Sequence, residues 1–289
     1  LVDYFSIIIW YTFRLLYTTL GACAGVFIVL YSPFPMIVNV SIAFLCSAIG
    51  LLFTRASLFP LISACVLPVL LKTESWAYPL SVFVMTLIII IIQRWMERLG
   101  LRKTNTYEAV ERHWGRDSIL WLCLMISVFV VTCLAVYTSN FYFIIPPLIV
   151  AYVEFVNSKA GFRNRPVLTV LLLFTGSLVG TVFQLIGYYY LGGSETLVAL
   201  FIFIVLFTMF EWLGKFFAPV GAIALIPMLL PIEALPWLPF QVLIGATLFI
   251  AMGMLFFQQC YKWTHAQLIY CLIPHYLLNR LMRGKRNQV

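Results

Sequence analysis

The sequence predicts an all-α, polytopic membrane protein: a transmembrane helical bundle of about ten spans that contains two parallel four-span repeats with broken short helices. Three observations lead to this fold class. Of the 289 residues, 63% are hydrophobic and 10% are charged, and the mean hydropathy is +1.04, far above that of a soluble globular domain. The apolar runs are about 15 to 24 residues long, which suits helices rather than the shorter strands of a membrane barrel. Two distant parts of the chain also share one pattern of prolines and a glutamate.

Charged and polar residues divide the chain into ten candidate spans. They are 15–31, 36–53, 57–71, 79–93, 118–137, 141–156, 167–190, 197–214, 217–230 and 240–258. The segments 57–71 and 217–230 have about 15 residues or fewer, well below the roughly 20 residues that a straight crossing needs. We expect these two to be short, tilted or re-entrant.

The distribution of basic residues predicts the orientation. If all ten segments cross and the 94–117 loop is cytoplasmic, every lysine and arginine except Lys72 lies on the cytoplasmic side. We therefore expect an inner or plasma membrane protein with both termini in the cytoplasm. The formal net charge of +8 is then a topology signal and not a sign of nucleic-acid binding. The basic loop and the 259–289 tail, which is predicted to be an amphipathic helix, are expected to contact anionic lipid.

An internal repeat appears when the chain is displaced against itself, without gaps, so that FPLISACVLPVLLKTE aligns with APVGAIALIPMLLPIE. The aligned pairs are Pro60 with Pro219, Pro68 with Pro227, Glu74 with Glu233 and, upstream, Gly21 with Gly180. The recurrence of two prolines and a glutamate at one spacing is hard to obtain by chance. It predicts two parallel units related by an axis along the membrane normal.

The predicted organisation has five parts. They are a first four-span unit at 1–93, a basic cytoplasmic loop at 94–117, a two-span insertion at 118–166, a second four-span unit at 167–258 and a basic tail at 259–289. The insertion has no counterpart in the first half. Because the sequence begins at Leu1 and not at Met, one hypothesis is that a truncated N-terminus held that counterpart.

The repeated prolines mark the candidate solute path. Proline removes a helical hydrogen bond, so we expect these prolines to kink or interrupt the two short helices. Freed backbone groups in a membrane are tolerated only inside protein or beside a water-filled cavity, and matched interrupted helices are typical of a solute site. The solute-path candidates are Pro60, Ser63, Pro68, Glu74, Pro219, Gly221, Pro227 and Glu233. The alternative is that the prolines only shape two outer-leaflet turns.

Polar residues within spans are further candidates because they are costly to bury. Glu154 and Glu211 are the intramembrane acids, and an interfacial ion pair with Lys215 is the plainer interpretation of Glu211. Glu74 and Glu233 are either carboxylates of an outer vestibule or solvated loop charges. The polar side chains that could line a path are Thr18, Thr19, Ser47, Ser177, Thr181 and Gln184, although most such hydroxyls bond their own backbone.

Catalytic, cofactor and metal sites are not expected. The seven cysteines show no paired spacing, and His113, His265 and His275 are too far apart in sequence to form a recognisable ligand set. The sequence also lacks a nucleophile-and-base arrangement and a glycine-rich phosphate loop. We therefore expect a protein that is not an enzyme.

The phrase Pro219-Val220-Gly221-Ala222-Ile223-Ala224-Leu225 resembles the second signature of the HPP family of small integral membrane proteins. In that signature a His-Pro-Pro is followed by Ala-Gly-Ala-Thr-Ala-Leu. The second proline, the glycine and the next alanine match here, whereas Phe217 stands at the naming histidine and Ala218 at the first proline. Any role of that histidine therefore does not carry over. The resemblance covers both four-span units and implies two such domains in tandem. The nitrite-transport role implied for plant plastid members suggests a small anion as solute.

Two functions compete. The leading expectation is a permease or channel for a small solute, built around the two short helices. The rival is a non-transporting scaffold or accessory subunit that docks a protein partner through the basic loop and tail. A homo-oligomer fits either interpretation. A permease should leave a polar cavity at the short helices, whereas a scaffold should fill that space with leucine and phenylalanine.

Overall fold

The computed structural model of the protein describes residues 2–54, 59–101, 114–157 and 165–260, and within these ranges all regular structure is helical. Seven helices in the described ranges are long and apolar enough to cross a membrane. The all-α class is therefore confirmed, and the helices support a multi-pass membrane protein. Most of the basic loop with His113, and nearly all of the tail with His265 and His275, lie outside the described residues.

The chain forms two compact units, Leu1–Cys133 and Leu134–Val289. The helices of the first unit are α1 at Val2–Tyr31, α2 at Met36–Thr54, α3 at Pro60–Leu71, α4 at Ala77–Arg98 and most of α5, which spans Trp114–Tyr137. Helix α1 packs against α2, α3 and α4, and α2 also packs against α3. Phe44 of α2 is fully buried and its ring lies 6.2 Å from that of Trp121 in α5. The short helix α3 therefore lies in the interior of its unit, with Ile62, Cys65 and Val66 fully buried.

The second unit contains five helices after α5. They are α6 at Pro146–Asn157, α7 at Pro166–Phe183, α8 at Glu195–Leu213, α9 at Ala218–Leu225 and α10 at Leu238–Cys260. Helix α7 continues as a π-helix over Gln184–Tyr190, and 3-10 turns at Ile226–Leu229 and Ile232–Trp237 link α9 to α10. Helix α7 packs against α8, α9 and α10, while α6 packs against α9 and α10. Except for the partly buried Glu154 and Asn157, α6 is buried on every side, so it forms the centre of this unit.

The prolines act differently from the sequence prediction. Pro60 and Pro219 lie in the first turn of α3 and α9, where no N–H is needed, so they begin the helices and do not interrupt them. Helix α3 also continues through Pro68. Only Pro227 lies where a helix ends, because α9 gives way to a 3-10 turn there. The expected interruption by a proline is therefore found in α9, whereas α3 is continuous.

Candidate functional site

Two glycines of α1 allow it to pack closely against α3, the short helix of the first unit. A Cβ atom at Gly21 would lie 2.5 Å from Cδ1 of Leu61, and one at Gly25 would overlap the carbonyl oxygen of Cys65. Small residues spaced by four allow helix backbones to approach closely in a membrane. Since both residue numbers increase together, α1 and α3 run in the same direction.

The second unit repeats this contact with different residues. A Cβ atom at Gly176 of α7 would lie 2.5 Å from Cγ1 of Val220, and one at Gly180 would overlap the carbonyl oxygen of Ala224. Helices α7 and α9 therefore also run in the same direction. Cys65 aligns with Ala224 in the repeat, so Gly180 corresponds in its contact to Gly25, and not to Gly21 as the ungapped alignment has it. The Gly-x-x-x-Gly spacing of both helices was the readable signal that sequence reasoning missed.

A longer α7 explains the shifted register. The helical segment of α7 with its π-helix ends at Tyr190, ten residues after Gly180, whereas α1 ends at Tyr31, six residues after Gly25. The difference of four residues is about one helical turn, so the same face is kept. These four added residues, 187–190, lie within the π-helix Gln184–Tyr190.

Backbone groups freed by the prolines are satisfied by protein. Pro68 has no N–H to donate to the carbonyl of Ala64, four residues earlier. The hydroxyl of Tyr78 in α4 donates to that oxygen instead, at 3.1 Å. In the second unit the carbonyl of Ile223, four residues before Pro227, accepts from the backbone N–H of Ile226. These two carbonyls therefore need neither water nor solute.

A row of buried polar side chains on α7 and its π-helix, unlike those carbonyl groups, lacks hydrogen-bond partners among the described residues. Ser177, Thr181 and Gln184 are exposed by 0%, 4% and 2%, and they follow one another at the spacing of one helix face. The Ser177 Oγ, Thr181 Oγ1 and Gln184 Oε1 atoms have no hydrogen-bond partner in the described part of the chain. Ser177 and Thr181 directly follow Gly176 and Gly180, so this polar row lies next to the face that contacts α9.

The hydroxyls predicted in the first unit are internally bonded. Thr18 donates to the carbonyl of Arg14, Thr19 to that of Leu15 and Ser47 to that of Ala43, each at 2.8 Å. For these three, bonding to the helix backbone was the right interpretation. The unpaired polar oxygens of α7 therefore have no equivalent among these first-unit residues.

Gln241 of α10 adds a second polar group that the sequence analysis did not single out. Its Nε2 donates to Oδ1 of Asn140 at 3.4 Å, while its Oε1 is buried without a hydrogen-bond partner among the described residues. Helix α10 packs against α7. In addition, Gln184 begins the π-helix, a local widening that is frequent at functional sites.

The other predicted site residues fall into three classes of exposure. Pro68, Pro219 and Pro227 are buried; Ser63, Gly221 and Glu154 are partly buried; Pro60, Glu74, Glu211 and Glu233 are exposed. A Cβ atom at Gly221 would meet only Cε1 of Phe203, at 3.9 Å, so Gly221 is not a close-packing glycine. The exposure of Glu74 and Glu233 fits solvated loop charges.

Lys215, which follows the end of α8, has a lowered pKa. The first cause is partial burial, and the second is the positive charge of Arg165. A neighbouring carboxylate would raise the pKa of a lysine. The ion pair predicted between Glu211 and Lys215 therefore does not set the pKa of Lys215.

Comparison of the chain with protein-family models, with curated protein sequences and with solved structures finds no match. The resemblance to the HPP family therefore stays a prediction that depends on the phrase at 219–225.

Proposed function

We propose that the protein is a permease for a small polar solute and that the solute passes the polar row of α7. The observation that carries this proposal is the set of three buried oxygen atoms without partners on Ser177, Thr181 and Gln184. Leaving a buried polar group unpaired costs about 1–3 kcal/mol. Such groups are tolerated inside a membrane protein where water or a solute can complete their hydrogen bonds.

The chemistry of the polar row favours an uncharged solute. Hydroxyl groups both donate and accept hydrogen bonds, and the side-chain amide of glutamine has an accepting carbonyl oxygen and a donating NH2 group. Ser177, Thr181 and Gln184 carry no charge that would attract an ion. A small molecule with hydroxyl or amide groups would match them. Nitrite, which the family resemblance suggests, is the competing solute because hydroxyl groups can also donate to an anion.

The proposed architecture is two parallel four-span units within a ten-span bundle. Helices α2 and α8 support it because the start of α2 at Met36 aligns with that of α8 at Glu195, and their ends at Thr54 and Leu213 align likewise, at the displacement that pairs Pro60 with Pro219. The packing of α1 against the next three helices, and of α7 against α8, α9 and α10, also supports it. Parallel pairing of α1 with α3 and of α7 with α9 fits short helices that cross in the same direction as their long partners.

Within this architecture the second unit is proposed to hold the path. Pro219, Gly221 and Pro227 belong to the helix and turn packed beside α7, so they shape the path from that side. Glu154 of the central helix α6 is the intramembrane acid that stays a candidate for it. The corresponding residues of the first unit are Pro60, Ser63, Pro68 and Glu74. They shape that unit in the same way, but the carbonyl group that Pro68 leaves without a donor is already bonded there.

The alternative is a non-transporting scaffold, and two observations favour it. The hydrogen bond from Tyr78 and the close glycine contacts fill the surroundings of the short helices with protein. In that case the unpaired oxygens of the polar row would cost stability without serving transport, and no solute would cross. The basic loop and tail would then dock a partner.

Flux through proteoliposomes separates the two functions. Purified wild-type protein would be assayed with water, glycerol and urea, and then with nitrite. The test variant is Ser177→Ala with Thr181→Val, and the matched control is Ser47→Ala with Thr18→Val, whose hydroxyls are also buried but internally bonded. We expect saturable or selective flux that falls roughly tenfold in the test variant only. Absence of flux from folded wild-type protein, or equal flux in both variants, would overturn the proposal.

A further inference from the structure

A cluster of charged and polar side chains joins α1 to α4 at the end that the sequence predicts to be cytoplasmic. The hydroxyl of Tyr11 donates to Oε1 of Glu97 at 2.6 Å, and Nη1 of Arg94 lies 3.7 Å from Oε2 of the same carboxylate. Nη1 of Arg14 donates to Oε1 of Gln93 at 3.1 Å. The cluster is therefore held together by contacts between two helices.

The buried members of the cluster, Tyr11 and Glu97, position Arg94. The side chain of Glu97 is 4% exposed and Tyr11 is 6% exposed, whereas the side chain of Arg94 keeps 24% of its surface accessible. The guanidinium carbon of Arg94 also lies over the Tyr11 ring, 5.4 Å from its centroid. A carboxylate on one side and an aromatic face on the other restrict the Arg94 side chain.

The cluster carries more positive than negative charge. Arg98 lies one helical turn after Arg94 on the same face of α4 and is exposed. Among the residues named above, three arginines, Arg14, Arg94 and Arg98, belong to the cluster with one carboxylate, that of Glu97. A site with two such arginines on one helix face suits an anion with several oxygens, since a guanidinium group binds phosphate in a bidentate manner.

The surroundings of α4 indicate where that anion comes from. Only 6% of the apolar window of α4 is buried, against 22–44% for the other long helices in the described ranges. Ile88, Ile91 and Ile92 are exposed, and Trp95 beside the arginines is 63% exposed. An acyl chain could lie along these isoleucines while its headgroup meets the arginines at the membrane surface.

We propose that Arg14, Arg94 and Arg98 form a binding site for the phosphate of an anionic phospholipid, in which Tyr11 and Glu97 position Arg94. The site belongs to the first unit. Arg14 aligns with Leu173 in the ungapped repeat and with Thr169 in the contact register of α7, and Arg94 aligns with Gly253, so the second unit has no equivalent arginines there. The proposal depends on the membrane location of the helices and not on solute transport.

Native mass spectrometry of the full-length protein tests the site. Phosphatidylglycerol and phosphatidylcholine would be titrated onto the wild type and two double variants. Arg94→Gln with Arg98→Gln removes two charges of the cluster, and Arg165→Gln with Lys215→Gln removes two basic charges of the second unit. We expect roughly tenfold weaker phosphatidylglycerol binding in the first variant, and near wild-type binding in the control. Binding of phosphatidylcholine should be the same for the wild type and both variants.

Two further measurements keep the outcome decisive. Arg98→Gln alone changes an exposed residue, so it should weaken binding severalfold without lowering the unfolding temperature. Millimolar inorganic phosphate should not displace the lipid, because the acyl chains contribute to its binding. Equal loss of phosphatidylglycerol in both double variants would show bulk electrostatic attraction only, and displacement by phosphate would show a soluble-anion site. Either result would overturn the proposal.

Discussion

Tyr78 donates a hydrogen bond to the carbonyl oxygen of Ala64, the acceptor that Pro68 leaves without its helical donor. This contact explains why α3 continues as an α-helix through an internal proline. In α9 the carbonyl oxygen of Ile223, which Pro227 leaves without its helical donor, is bonded within the same segment. The chain tightens there into a 3-10 turn in which the N–H of Ile226 donates to this oxygen. One hydroxyl on a neighbouring helix therefore accounts for a difference between the two short helices.

Removing that hydroxyl should destabilise the first unit. In Tyr78→Phe the carbonyl of Ala64 stays buried without this donor, so we expect the free energy of unfolding to fall by about 1–3 kcal/mol. The measurement is thermal or denaturant unfolding in detergent. Tyr137→Phe is the matched control, since Tyr137 is 90% exposed and should change stability little. Equal stability of the two variants would show that the Tyr78 bond does not support α3.

The close approach of α7 and α9 predicts a sharp contrast between two glycines. Gly180→Ala places a methyl group on the carbonyl oxygen of Ala224, so α9 must shift. We expect the free energy of unfolding to fall by about 1–3 kcal/mol. Gly221→Ala on α9 meets only Phe203, at 3.9 Å, and should be neutral or slightly stabilising, because alanine favours a helix. Unfolding curves of both variants test this. Equal destabilisation would contradict the glycine contact.

Apolar run length and flanking charge predict several helices to within a few residues, although the predicted segment 15–31 misses the first thirteen residues of α1. The predicted segments 36–53 and 197–214 differ by at most two residues from α2 and α8. The register of packing was less predictable. An ungapped comparison counts residues and so aligned Gly21 with Gly180. The four extra residues at the end of the π-helix shift this alignment, so that Gly25 makes the contact corresponding to that of Gly180.

The candidate site was predictable only as a set of residue types. Ser47 and Ser177 are both serines in apolar segments, and no sequence pattern separates them. The structure does, because Ser47 Oγ donates to the carbonyl of Ala43, while Ser177 Oγ has no partner among the described residues. Unpaired atoms depend on rotamers and on neighbours that are distant in sequence. The cluster of Tyr11, Arg94 and Glu97 was missed for the same reason, since its members lie on two helices.

Arg165 should contribute, after burial, to the lowered pKa of Lys215. Burial and the charge of Arg165 lower the pKa of Lys215, so the folded protein releases this proton at lower pH than the unfolded chain. Stability contributed by Lys215 therefore rises as the pH passes from its folded pKa to the usual lysine value. In Arg165→Gln the pKa should move upward. Amine labelling followed by mass spectrometry at a series of pH values gives the midpoint, and an unchanged midpoint would exclude Arg165 as a cause.

The polar row of α7 predicts opposite effects on stability and transport. Ser177→Ala and Thr181→Val remove buried oxygens that lack partners, so each variant should be more stable by up to about 1 kcal/mol. Solute flux should fall, because the groups that bind the solute are lost. This combination is expected where function keeps a costly feature in place.

Ser47→Ala serves as the control, since its hydroxyl is bonded to the helix and its loss should leave flux unchanged and stability equal or lower. Unfolding temperature and proteoliposome flux would be measured on the same preparations. If Ser177→Ala lowers stability and leaves flux unchanged, the row serves helix packing, and the scaffold function is favoured over the permease.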